Sequence, residues 1–174
     1  MKMDRFYFIF LRYLILLVFM FLIDIIYFVM TPLTIYSSFR ILDVFFKNIW
    51  ISDNIIVIGF DKIQIIDPCV AGSAYLLLLI LNLSVPMNWK KRFYSILFSF
   101  SLLLVLNVLR IVLLAVLYSF DSIFFDFTHK LFWYVLSSVF VIGIWFLVVK
   151  IFSIKEVPFY SDIKYFLKRI KSKK

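Results

Sequence analysis

Four long apolar runs divide the chain, each followed by a short polar segment. The first extends from Phe6 to Met30 and is interrupted by Arg12 and Asp24. The second, Val70 to Val85, is short and closed by Pro86. The third runs from Phe93 to Phe120 and contains Asn107 and Arg110, and the fourth runs from His129 to Ile151. A helix needs about 20 apolar residues to cross a hydrocarbon core of about 30 Å at about 1.5 Å per residue. The pattern therefore predicts four membrane-crossing helices. Arg12 can extend its head group to one membrane surface, while Asp24 falls near the opposite end of the first helix.

Between the first two runs the period changes. Thr31-Pro32 is expected to end the first helix, since proline lacks the N–H that would continue it. Ile35, Phe39, Leu42, Phe46 and Ile49 then recur at steps of four and three, with Ser37, Ser38, Arg40, Asp43 and Lys47 mostly on other faces. That spacing predicts a helix over 34–50 lying along the membrane surface. Two β-branched runs, 55–58 and 63–66, flank Gly59-Phe60-Asp61-Lys62 and predict a β-hairpin leading straight into Asp67-Pro68-Cys69. The expected fold class is an all-α membrane protein: a four-transmembrane-helix bundle with a small extracytoplasmic interfacial helix and β-hairpin between helices 1 and 2. Residues 1–154 are expected to form the membrane domain and 155–174 a basic cytoplasmic tail suited to anionic lipid.

Composition excludes most alternatives. Of the 174 residues 65% are hydrophobic, whereas a soluble domain keeps roughly half its residues apolar so that its surface can be wetted. The net charge of +9 points to the positive-inside rule rather than to nucleic acid, for which there is no motif or aromatic-interleaved basic groove. Twelve of the 19 Lys and Arg residues fall in 1–5, 86–92 and 153–174, and only four in 31–68 and 121–130. Both termini and the loop Asn88–Arg92 are thus expected in the cytoplasm of a multi-pass cell (inner) membrane protein. The hairpin and the Asp121 loop face outward. The first apolar run lacks a small-residue cleavage site, so no cleavable signal peptide is expected. The single cysteine, Cys69, excludes an intramolecular disulfide.

This topology gathers three reactive residue types at the outer side. Cys69 opens the second span, where a helix N-terminus and a nearby cation both favour a thiolate. Gly72 and Ser73 follow at i+3 and i+4 and leave room for a substrate backbone. Arg110 lies 11 residues before Asp121, about 16 Å below the outer loop. An arginine inside a span costs about 2.5–3.5 kcal/mol on insertion scales, so it normally faces a polar cavity or a partner, with Asn107 on the same helix face. His129, the only histidine, opens the fourth span, and an imidazole exchanges protons near neutral pH. Asp24, Asp67 and Asp126 are all available to orient it. The plainer readings are an inert small cysteine, an arginine tying helices together through Asp24, and a histidine anchoring the interface. A small transporter fits poorly, since no span is broken midway.

Cys69 at the outer end of one span, Asn107-Val108-Leu109-Arg110-Ile111 in the next and His129 at the start of the last resemble the exosortase/archaeosortase family. The resemblance covers roughly residues 55–151. It implies a membrane-embedded cysteine protease or transpeptidase, with Cys69, Arg110 and His129 as catalytic residues and Asn107, Gly72 and Ser73 as supporting ones. The implied substrates are exported proteins with a C-terminal sorting signal (short motif, hydrophobic span, basic tail), cut just outside the membrane and passed to a surface lipid or polysaccharide acceptor. The reading calls for no cofactor and no metal. The competing reading is a non-catalytic polytopic membrane partner or assembly factor for surface protein export.

Overall fold

A computed structural model describes residues 19–85 and 87–154, together with Leu14. The expectations placed on Arg12, Pro86 and the basic tail lie outside the described residues. A 3-10 turn, Phe19–Leu22, leads into α1 (Ile23–Phe45). Then come β1 (Ile49–Ser52), β2 (Ile55–Ile58) and β3 (Asp61–Gln64). A single helical turn α2 (Asp67–Val70) precedes α3 (Gly72–Ser84) and α4 (Trp89–Ser119). The last element, α5 (Phe125–Ile151), is one continuous helix whose segment Phe132–Leu136 is wound as a π-helix.

Among the described residues three helices are long and apolar enough to cross a membrane: α1, α4 and α5. The expected count of four spans is not confirmed. The second apolar run yields α3, which has 13 residues and is about 20 Å long, short of a bilayer core. Ala71, in the left-handed conformation at φ +61°, separates it from the turn that carries Cys69. Gly72 opens α3 directly against the Tyr27 ring, which an added Cβ would overlap unless the ring moved.

Two further expectations are overturned between α1 and β2. The helix does not end at Thr31-Pro32 but passes through the proline, whose ring is exposed. A proline inside a helix costs about 3 kcal/mol. Beyond it, however, α1 buries Thr34, Ile35, Ser38 and Leu42, and each large apolar side chain covered contributes about 1.5–3 kcal/mol. Continuing the helix is the better bargain. Residues 34–45 are therefore the C-terminal half of α1, and the expected separate interfacial helix is not confirmed. Helix period also misled at its far end. Phe46 is extended, Asn48 is left-handed at φ +63°, and Ile49 and Trp50 enter a strand.

The three strands form an antiparallel meander in the order β1-β2-β3. The expected hairpin is present as β2–β3, with its turn reduced to Gly59-Phe60, and β1 joins it through Asp53-Asn54. Asp53 and Gly59 take up the left-handed backbone at the first turn position, φ +52° and +60°, as two-residue hairpin turns require. Alternation then sorts the sheet. Ile49, Ile51, Ile56, Ile58, Ile63 and Ile65 share one face and pack on Ile35 and Leu42 of α1 and on Ile111 and Ala115 of α4. A second cluster deeper in the bundle joins Ile26, Tyr75, Leu78, Leu103, Ile144 and Val148. There Asn82 of α3 donates to Ser99 Oγ at 3.2 Å and accepts from Ser95 Oγ. This buried polar contact pins α3 to α4, where lipid supplies no hydrophobic drive for helix association.

Candidate active site

The sheet, the Cys69 turn, α4 and the start of α5 enclose one cavity of about 310 Å³. Cys69, Arg110 and His129 all line it, each from a different element, along with Phe125, Phe132 and Trp133 on the α5 side. Lys62, Arg110 and His129 supply its basic groups, and no Asp or Glu is among its lining residues.

Cys69 is half-buried and reduced, in the four-residue turn α2, where its N–H donates to the Ile66 carbonyl at 2.8 Å. It is not the first turn of a spanning helix, so the long-helix dipole expected behind it is not there. Its surroundings are set instead by α4. Asn107 Nδ2 donates to the carbonyls of Cys69 at 2.7 Å and Val70 at 3.3 Å. Arg110 Nη2 donates to the carbonyls of Cys69 at 3.2 Å and Pro68 at 3.4 Å. One turn apart on one helix face, the two side chains grip the main chain of the cysteine turn.

Arg110 is 8% exposed. Its Nη1 donates to Ser137 Oγ at 3.1 Å, and that hydroxyl donates in turn to the Phe132 carbonyl at 2.7 Å. The same carbonyl also accepts from the Ser137 backbone N–H, the i+5 bond of the π-helical turn, so Ser137 meets it with both its main chain and its hydroxyl. All these partners are neutral, and Asp24 is not among them. Its Nε–H has no partner among the described residues.

His129 is exposed in the second turn of α5. Its ring stacks on Phe125 (centroids 5.6 Å, planes 19° apart) and meets the edge of Trp133 at 6.3 Å. Among the described residues no carboxylate hydrogen-bonds it, so Asp24, Asp67 and Asp126 are not its orienting groups here; two aromatic rings hold it. Gly72 and Ser73 do not line the cavity. Gly72 is buried against Tyr27 and Ser73 is exposed. Sequence reasoning missed Ser137 and the aromatic pair. The signal was available: Phe125, His129, Trp133 and Ser137 recur at steps of four, which places them along one helix face.

The outward faces of the long helices are apolar as well. Leu97, Val105, Leu109 and Leu113 on α4, and Val135, Val139, Ile142 and Phe146 on α5, are exposed. Helices apolar on all sides and unable to cover one another belong in lipid, so the fold defines a multi-pass integral membrane protein. A family model described as transmembrane exosortase matches residues 3–148. The chain belongs to that family. No curated protein and no solved structure matches it.

Proposed function

We propose that this protein is a membrane-embedded cysteine peptidase or transpeptidase that cleaves C-terminal sorting signals from exported proteins and passes them to a surface acceptor. The observation that carries the reading is that the only thiol, an intramembrane arginine and the only histidine border one cavity from three separate elements. Membership of the exosortase family supports the same chemistry.

In this reading the Cys69 thiolate attacks the scissile carbonyl and forms a thioester. Arg110, carrying uncompensated charge in a site walled by apolar side chains, stabilises the thiolate and then the tetrahedral oxyanion. Its unpartnered Nε–H is a donor whose isolation costs about 1–3 kcal/mol until an acceptor arrives. His129 gives a proton to the departing amine and takes one from the incoming nucleophile, a hydroxyl or amine of a lipid or polysaccharide acceptor, or water. Asn107 holds the main chain of Cys69 so that the thiol keeps its aim. The charge distribution supports both termini and the tail 155–174 in the cytoplasm and the cavity on the extracytoplasmic side, where a sorting motif leaves the bilayer.

The test is processing of exported proteins in cells carrying Cys69→Ala, Arg110→Ala or His129→Ala. Cys69→Ala is expected to abolish processing, and Arg110→Ala to slow it by roughly 10²–10³-fold. Normal processing by a well-expressed Cys69→Ala protein refutes the proposal. The second reading, a non-catalytic partner, draws on Asn107 and Arg110 bonding main-chain carbonyls, as a purely structural clamp would. Thiol labelling separates the two: an enzyme's Cys69 reacts fast with an impermeant alkylating reagent, and a structural one does not.

A further inference from the structure

The three-stranded sheet leaves β3 as an edge strand, and that edge borders the cavity. Lys62, Ile63, Gln64 and Ile65 line it consecutively. A sheet face contributes every second residue, because side chains alternate; four residues in a row come from the edge. The isoleucine side chains at 63 and 65 belong to the apolar core cluster with Ile111 and Ala115.

The register shows which backbone groups of β3 are free. The Ile65 N–H donates to the Asn54 carbonyl at 2.8 Å. With Ile63 opposite Ile56 and Asp61 opposite Ile58, alternation assigns residues 61, 63 and 65 to the ladder with β2. Lys62 and Gln64 are then the non-bonded positions, with their N–H and C=O directed to the open edge. Among the described residues neither has a hydrogen-bond partner on that side. The edge ends, moreover, at the site: Ile66 accepts from Cys69 N–H, so the thiol follows β3 by a single tight turn.

We infer that the substrate segment carrying the scissile bond binds as a fourth strand on β3, hydrogen-bonded to the main chain of Lys62 and Gln64, its scissile carbonyl delivered to Cys69. The occupant is an extended peptide. The cavity is bounded on its far side by Phe125, Phe132 and Trp133, so a strand on this edge has its main chain satisfied by β3 and alternate side chains set against aromatic rings. Its volume of about 310 Å³ falls at the lower end of the usual ligand-pocket range of about 300–1,000 Å³, fitting a short stretch of peptide. Strand addition takes affinity from the main chain and selectivity from alternate side chains. This inference rests on the peptidase reading of the same cavity.

The experiment uses an exported protein that retains its C-terminal segment in cells carrying Cys69→Ala, and follows its processing by pulse–chase in cells with the full-length enzyme. Gln64→Pro removes an outward N–H and sets a ring in the partner strand's path, yet spares the ladder with β2; an edge strand tolerates such a proline. Gln64→Pro is expected to process at least roughly tenfold more slowly than Gln64→Ala, which keeps the N–H, while Cys69 alkylation stays at the wild-type rate. Equal rates for the two variants, with alkylation intact, overturn the inference. Should Gln64→Pro not reach the membrane, disulfide capture decides. In the Cys69→Ala background, Gln64→Cys is expected to trap single-cysteine versions of the substrate at alternate positions. Trapping without that two-residue period, or none at all from a substrate the wild-type enzyme processes, overturns it equally. If no exported protein depends on Cys69, the peptidase reading itself has failed, and this inference with it, before any β3 variant is made.

Discussion

At the scale of single residues, Arg110 organises the site without an acidic partner among the described residues. A carboxylate would have cancelled its charge; carbonyls and a hydroxyl fix its position without doing so. Ser137 is thereby a positioning residue. Removing its hydroxyl deprives Arg110 Nη1 of an acceptor, a loss of about 1.5–3 kcal/mol for a hydrogen bond to a charged group. Ser137→Ala is expected to slow processing by roughly 10–100-fold with normal membrane yield, and Ser137→Thr to recover most of the rate. Equal impairment of both variants would show that side-chain volume, not the hydroxyl, matters there. The arginine and the cysteine were legible in the sequence because each residue type is unusual in its surroundings. Ser137 was not, since a serine in a membrane helix commonly bonds its own helix, and only the packing of α5 on α4 brings it to Arg110.

The decisive element is α5 with its π-helical turn. That turn, Phe132–Leu136, lies between His129 and Ser137 and sets the angle between them. Deleting Tyr134, whose side chain is 74% exposed, is expected to convert the segment to regular α-helix. All that precedes it would then rotate by about 100° relative to the rest of the helix. His129 should leave the cavity while Ser137 keeps Arg110. Processing is expected to fall to the level of His129→Ala, with Cys69 alkylation still fast; a deletion variant that processes normally would show that the angle does not matter. Element scale is also where the sequence misled most. A proline inside α1 and helix period running on into β1 are both local signals, and in both cases burial against α4 and the sheet prevailed over them.

At the scale of the whole molecule, the bundle is held by an apolar cluster at each level and by the Asn82–Ser95–Ser99 contact deeper in the bundle. The charge asymmetry predicts its direction across the bilayer, and this can be measured. Phe60, fully exposed at the β2–β3 turn, is expected to face outward. In a Cys69→Ala background, Phe60→Cys should be modified by an impermeant maleimide in intact cells. Asn88→Cys, in the basic loop before α4, should react only after permeabilisation. The reverse pattern would put the sheet and the cavity in the cytoplasm, out of reach of exported proteins.

The sequence by itself determined the solvent in which this protein folds and the residues capable of chemistry, because hydrophobicity and residue type are properties of the chain read one position at a time. It also determined the β2–β3 hairpin, whose turn and alternation are local. Tertiary structure alone decided that Cys69 sits in a one-turn helix gripped by Asn107 and Arg110 from 38 and 41 residues away. It likewise decided that Ser137 meets Arg110 across 27 residues and that the free edge of β3 borders the same cavity. Such contacts depend on how helices and sheet pack across long separations, and the energies that select them are shared among many side chains, so no single stretch of sequence encodes them.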